Sequence, residues 1–411
     1  MEVVHYRCAG MDISKRDAKV CIRTPGPRPG TFTKTVKVYS SMYADITRLR
    51  DDLIAADVSL VVMEATGDYW KPFYYQFEGV LDQMLVNARH AKNLPGRKTD
   101  VSDAQWLAEL GAHGLVKASF VPSRPIRELR DLTRQRALLT AEHSREIQRL
   151  EKFLESTGIK YSSVATRLTG VSGIAIMEAL IAGQHDPAKL ADLAKGRLRD
   201  KHPQLVQALQ GQFTPHHARL TRLHLDRINE LGRQISQHDR LIADHIEAHG
   251  LRWAVDLLVT MPGVSIIGAI NIIAETGTDM AAFPTPAQLA SWAGVCPGHH
   301  ESAGKTKPVH ARPGNAHLKA TLGIAAMAAV RTNGTFLQDR YHRIKTRRGP
   351  MRALVAVQHT MITAIWHMLT NRQPYQDLGP DRNTATHHRN KARAVRDLEQ
   401  LGYNVTLAPT T

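Results

Sequence analysis

Cysteine is scarce in this sequence: three residues, Cys8, Cys21 and Cys296, in a chain of 411. An odd, widely spread set without zinc spacing argues against a disulfide framework, and the chain reads as a protein of the reducing cytosol. No apolar run is long enough to span a bilayer. The opening stretch MEVVHYRCAG lacks the basic-then-apolar layout of a secretory signal. No internal repeat recurs at a fixed period. Acidic residues are also short, with 38 Asp and Glu against 54 Lys and Arg, a formal net charge of +16. That imbalance points to a polyanionic partner, nucleic acid first, and away from a membrane one.

What is present is a globular composition. Hydrophobic residues make up 43% and charged residues 22%, and the length suits two or three domains with their own cores. The 21 histidines are scattered or paired as HH, and read as solvated or phosphate-contacting groups rather than metal ligands.

The first stretch alternates like strands joined by hairpins: VVHYRCAGMDIS, AKVCIRTP and, after the turn GPRPG, TFTKTVKVYS. A helix follows in MYADITRLRDDLIAA, with Ile46, Leu49 and Leu53 on one face. Then come a buried strand in VSLVVMEATG, a helix, a strand in LDQMLVNARHA and a helix in DVSDAQWLAELGAHG. This α/β order is that of a ribonuclease-H-like domain, expected over 1–122. Two long, charged, amphipathic segments, about 126–159 and 217–249, predict paired helices of coiled-coil type within 123–250, or ordinary amphipathic helices packing on their own domain. A mostly helical region is expected over 251–372. It includes a helix–turn–helix in VTMPGVSIIGAINII, read either as a phosphate-binding helix-hairpin-helix or as a tight turn, and two apolar helices. The run RYHRIKTRRGPMR is a basic patch for phosphates. The polar, basic tail 373–411 is expected to lack order apart from a short helix near 394–401.

The chemistry-bearing residues are carboxylates. Asp12 ends the first strand and Glu64 the fourth, where open α/β sheets build sites. Asp100 and Asp103 lie one helical turn apart. Ser102 and Gln105 fit a capping box there, so each aspartate taken alone also reads as helix-terminus chemistry. Four acids from three segments would repel one another severely without a cation, and a hard-oxygen set suits Mg²⁺ or Mn²⁺, as one or two ions. Arg97 and Lys98, just before the aspartates, read as phosphate contacts.

The motifs GMDISKRDAKV, VVMEATGDYW and RKTDVSDAQWLAEL resemble the Asp-Glu-Asp-Asp pattern of the insertion-sequence-110 transposases, and MPGVSIIGAINIIAETG, LASWAGVCPG, ESAGK and RPGNAHLKATL resemble their second domain. The resemblance spans roughly 11–370. It implies that Asp12, Glu64, Asp100 and Asp103 hold the metal, and that Ser302, in PGHHESAGK, is a nucleophile on DNA in a C-terminal transposase domain. Ala303 stands where the family has glycine, with Gly304 one residue later. Ser291 reads as a small residue of a packed helix. Lys305, Lys307, Arg312 and Lys319 surround the serine segment as nucleic-acid contacts.

The resemblance further implies a bacterial, cytoplasmic, nucleoid-associated recombinase that moves an insertion sequence. Its partners would be target and donor DNA, a non-coding bridge RNA and further copies of the chain, as a dimer or a tetramer of two dimers. Base pairing by RNA would relieve the protein of sequence reading, which suits a chain with 6% aromatic residues. Two other readings stand beside it: a RuvC-like metal-dependent junction nuclease using water, and an inactive nucleic-acid-binding protein.

Overall fold

The computed structural model describes residues 2–65, 67–87, 102–298, 301–302, 305–306, 311, 313–380 and 384–407. The chain forms two compact units, Met1–Val121 and Pro122–Thr411. Among the described residues no helix is long and apolar enough to cross a membrane.

The first unit is built on strands β1 (Cys8–Ile13), β2 (Asp17–Pro25), β3 (Phe32–Ser40), β4 (Leu60–Glu64) and β5 (Gln83–Val86), with helices α1 (Tyr43–Ala55), α2 (Lys71–Phe77) and α3 (Asp103–Ala112). The order of elements is the one read from the sequence. The sheet runs β3-β2-β1-β4-β5. β1–β2 and β2–β3 pair antiparallel, whereas β1–β4 and β4–β5 pair parallel.

Strand alternation sends side chains to opposite faces, and the burial follows it. Ala9, Met11, Ile13, Val61 and Met63 pack with Ile46, Leu49 and Leu53 of α1 and Phe73 and Phe77 of α2. Cys8, Leu60 and Val62 pack on the other face with Leu107 and Leu110 of α3. The face of α1 expected from its spacing is the face that is buried.

The second unit is helical. Its frame is a pair of long helices, α4 (Arg124–Glu155) and α9 (Pro215–Ala248). They pack together within the chain and run antiparallel: His245 bonds Pro125, Arg136 pairs with Asp239, and His224 pairs with Glu146. Each buries an apolar stripe, Leu129, Leu139, Leu150 and Leu154 on α4 and Leu225, Ile228, Leu231 and Ile242 on α9, and Leu150, Leu154, Leu225 and Ile228 share one core. Four short helices lie between them: α5 (Tyr161–Val164), α6 (Val171–Ile181), α7 (Pro187–Ala191) and α8 (His202–Ala208). They share a core with the lower part of the pair.

There follow α10 (Arg252–Val259), α11 (Ile266–Thr276), α12 (Pro286–Trp292), the two-residue strands β6 (Glu301–Ser302) and β7 (Lys305–Thr306), α13 (Ala316–Ala329), α14 (Phe336–Arg348) and α15 (Pro350–Asn371). α16 (Thr384–Gln400) corrects the tail expectation. The helix starts ten residues earlier than expected, because its helix-compatible residues outweigh their polarity.

Candidate functional site

In the first unit the site is set by register. β1 and β4 are paired through Met11↔Met63, so one further step puts Asp12 opposite Glu64. Both have the parity of Cys8, Leu60 and Val62, and therefore lie on the face that carries α3. α3 crosses this face antiparallel to β1. At one end, a Cβ on Gly111 would meet Cys8 Sγ at 2.8 Å and Val62 Cγ2 at 2.5 Å; further along, a Cβ on Gly10 would meet the Ala104 carbonyl oxygen at 2.2 Å and the Ala108 nitrogen at 2.3 Å. As β1 advances from Cys8 through Gly10 to Asp12, α3 runs back from Gly111 through Ala108 to Asp103. The helix start is thus brought to the end of the sheet where Asp12 and Glu64 stand.

Asp103 is the first residue of α3, and the expected capping box is present. Ser102 accepts from the Gln105 N–H at 3.4 Å, and the Ser102 N–H donates to Gln105 Oε1 at 3.2 Å. Glu64 is 6% exposed, and Asp12 and Asp103 are half-buried. Asp100, Arg97 and Lys98 lie outside the described residues. Neighbouring strands are about 4.8 Å apart, so two ionised carboxylates at this pairing repel by about 3 kcal/mol at an effective dielectric of about 20. Hard oxygens held this close, with Glu64 buried, fit a hard divalent cation.

In the second unit Ser302 and Lys305 are paired across the β6–β7 hairpin. Ala303, Gly304, Lys307 and Arg312 lie outside the described residues, as do His299 and His300. Lys319 sits half-buried in the first turn of α13. The stem of the serine segment is closed: the Asn315 N–H donates to the Trp292 carbonyl at 3.0 Å. A Cβ on Gly314 would lie 2.4 Å from the Gly294 nitrogen. Ser291 is exposed on α12. This corrects the packed-helix reading, because Leu289 and Ala290 face the core instead.

Beneath that stem lies a residue the sequence reading missed. Glu275, 2% exposed at the end of α11, accepts from Arg134 through both oxygens at 2.8 and 2.9 Å and from Asn315 Nδ2 at 2.6 Å. Arg130 Nε stands 3.2 Å from it, and Arg130 also donates to the Ala274 and Glu275 carbonyls at 3.0 and 2.7 Å. A cation thus caps the negative end of α11. Burial pushes the Glu275 carboxyl up, but the hydrogen bonds from Arg134 and Asn315 and the Arg130 charge outweigh it and hold it below the usual range. Asn315 caps α13 with its Oδ1 while its Nδ2 holds Glu275. α4, α11 and the stem of the serine segment therefore share one buried carboxylate. The available signal was a lone acid ending an apolar helix, IIGAINIIAET, the same signal that marked Glu64.

Around the Pro-Gly turn, Gly263 (φ +85°) faces α13, where a Cβ would meet the Ala325 carbonyl oxygen at 2.3 Å. Ser265 caps α11 by accepting from the Gly268 N–H at 3.1 Å. The basic run falls on α14. Arg340 Nε is buried there with no hydrogen-bond partner among the described residues. Burial and the nearby Arg343 lower the pKa of Arg340, and burial with the Arg340 charge lowers that of His359.

These two sites match known sequences. The family model for the DEDD transposase of IS110 elements, described as a transposase, matches residues 9–159, and the model of the Transposase IS116/IS110/IS902 family matches residues 255–342. Together they cover more than half of the chain. The chain belongs to the IS110 family of transposases. The insertion element IS900 uncharacterized 42 kDa protein of Mycobacterium paratuberculosis is 26% identical over 306 residues, 68% of this chain and 73% of that protein. The insertion element IS110 uncharacterized 43.6 kDa protein of Streptomyces coelicolor is 31% identical over 138 residues, 33% of each chain. In this IS110-family chain the first match contains Asp12, Glu64, Asp100 and Asp103. The second contains Glu275, Ser302 and Asn315.

Proposed function

We propose that this transposase moves its insertion sequence by site-specific recombination, cutting and rejoining DNA with Ser302 and the four carboxylates. One observation supports the reading: strand register and the packing of α3 bring Asp12, Glu64 and the helix start with Asp103 toward one end of the sheet, a hard-oxygen donor set suited to a divalent cation. Asp12, Glu64, Asp100 and Asp103 would hold magnesium or manganese, which when bound supplies charge stabilisation to a phosphate. The Ser302 hydroxyl attacks a scissile phosphorus, the bond from phosphorus to the 3′ oxygen breaks, and the hydroxyl proton ends on that departing oxygen. A phosphoserine link and a free 3′ hydroxyl result. Attack by the 3′ hydroxyl of another strand reverses the step and completes strand exchange.

In this reading a structured RNA selects target and donor DNA by pairing, and Arg97, Lys98, Lys305, Lys307, Arg312 and Lys319 bind phosphates without reading bases. The protein acts in the bacterial cytoplasm at the nucleoid, as a dimer or a tetramer of two dimers. Exposed Leu138 and Leu241 on the outer faces of the long helices offer apolar positions for a second copy to cover.

The test is a denaturing gel of the protein incubated with its RNA, DNA substrate and Mg²⁺. Wild type should give a protein–DNA adduct, absent in Ser302→Ala and in Asp103→Asn. Cleavage that persists in Ser302→Ala would overturn the serine step in favour of a water-using junction nuclease. Binding without cleavage in the wild type would leave an inactive nucleic-acid-binding protein.

A further inference from the structure

Where the two long helices meet at one end, three side chains gather that the proposed recombination chemistry does not use. Glu128 lies in the second turn of α4; His245 and His249 lie one turn apart at the end of α9. One ligand-capable atom from each falls within 4.8 Å of the others. Among the described residues this is the group with that property. Four tetrahedral ligands at about 2.0–2.1 Å from a zinc ion stand roughly 3.3 Å apart, so closure needs a shift of about an ångström. His249 is exposed and Glu128 half-buried, so both can make that shift.

The hydrogen bonds of the rings are the second, independent observation. His245 Nε2 lies 2.8 Å from the Pro125 carbonyl oxygen, and His249 Nδ1 lies 3.0 Å from the His245 carbonyl oxygen. A carbonyl only accepts, so each of these nitrogens carries a proton. In the neutral rings the lone pairs are then on His245 Nδ1 and His249 Nε2. Anchoring one imidazole nitrogen on a backbone carbonyl while the other ligates is the usual support of a metal-bound histidine. The rings lie 4.1 Å apart and 30° from parallel, on one side of α9. The opposing group is Arg124, whose Nε donates to Glu128 Oε1 at 2.8 Å. That bond uses one carboxylate oxygen, and the Arg124 side chain is 80% exposed, so it can turn into water.

We propose that Glu128, His245 and His249 form a transition-metal site, zinc by preference, that staples the start of α4 to the end of α9. Two imidazoles and one carboxylate suit a borderline cation rather than Mg²⁺. The site is distinct from the oxygen-only set of the first unit. Three protein ligands leave a fourth position for water.

Zinc titration of chelator-treated full-length protein, with Mg²⁺ in excess to occupy the carboxylate set, tests this by calorimetry. Cobalt substitution reports the ligand field in the visible spectrum. Wild type should bind one zinc per chain, give the intense visible bands of four-coordinate cobalt, and melt at a higher temperature with zinc. His249→Gln, at an exposed position, and Glu128→Gln should each weaken zinc binding at least about tenfold and lose the melting shift, while retaining the wild-type circular dichroism spectrum. Equal zinc affinity in wild type and His249→Gln, or no zinc bound by wild type at micromolar concentrations, overturns the proposal.

Discussion

Replacing Glu275 by glutamine keeps the shape of the side chain and removes its charge. Two guanidiniums then lose their carboxylate, and their remaining exposure sets the cost. Arg130 is 16% exposed at the side chain and Arg134 is 38% exposed. Removing one partner of a buried ion pair costs about 3–5 kcal/mol, and water reaching Arg134 takes over part of its loss. The amide of glutamine can still meet Asn315. About 3 kcal/mol is therefore expected, and at roughly 2–4 °C per kcal/mol this lowers the melting temperature by about 6–12 °C. Thermal unfolding followed by circular dichroism checks it. The pH dependence has a fixed sign. The folded carboxyl is held below its unfolded value, so its contribution is present above the unfolded pKa and is lost as pH falls through the folded one. The gap between wild type and Glu275→Gln should thus be full at neutral pH and close on acidification. A variant melting within about 1 °C of wild type at pH 7, or a gap that widens in acid, would refute the reasoning.

Gly10→Ala should cost about 3 kcal/mol, the upper range for overpacking, because its Cβ meets backbone atoms of Ala104 and Ala108 that cannot step aside; a melting curve like wild type would contradict the helix-on-strand contact. Cys8 and Cys21 are fully buried and their thiols pushed up to about 12 and about 11, whereas Cys296, also raised by burial, is partly exposed, so an aromatic disulfide reagent at pH 7.5 should modify Cys296 alone, and slowly, in the native protein, a stoichiometry read by mass spectrometry. Arg340→Gln should weaken DNA binding and reduce the slope of log affinity against log salt by about one; an unchanged slope would show that Arg340 holds no phosphate.

The parts of the fold legible in the sequence were those set by local pattern. Alternation gave the strands, three- and four-residue spacing placed Ile46, Leu49 and Leu53 on one face, and Ser102 with Gln105 announced the start of α3. Acids in or ending apolar strand runs pointed to Asp12 and Glu64, since an inward carboxylate needs a partner. The partners of Glu275 were not legible. Arg134 is 141 residues away and Asn315 is 40 away, and no short-range pattern connects them. The same holds for Gly10, whose meaning depends on a helix about 94 residues later. Ser291 was misread because its apolar neighbours were taken to bury it, whereas the helix turns it outward.

Asp103 shows how a structural role and a chemical one divide between neighbours. A helix start needs acceptors for its first N–H groups, and here Ser102 and Gln105 supply them reciprocally. The capping box does not call on the Asp103 carboxylate. Its place in the first turn also favours the helix dipole, by about 0.3–1 kcal/mol. Asp12 and Glu64 stand at the end of the sheet to which this helix start is brought, and like charges drawn together repel. In the proposed function a cation shared by the three carboxylates would turn that repulsion into attraction. The close approach at Gly10 then has a chemical consequence: by letting α3 lie directly on β1, it brings an already capped helix start, with a carboxylate its cap does not use, to the end of the sheet.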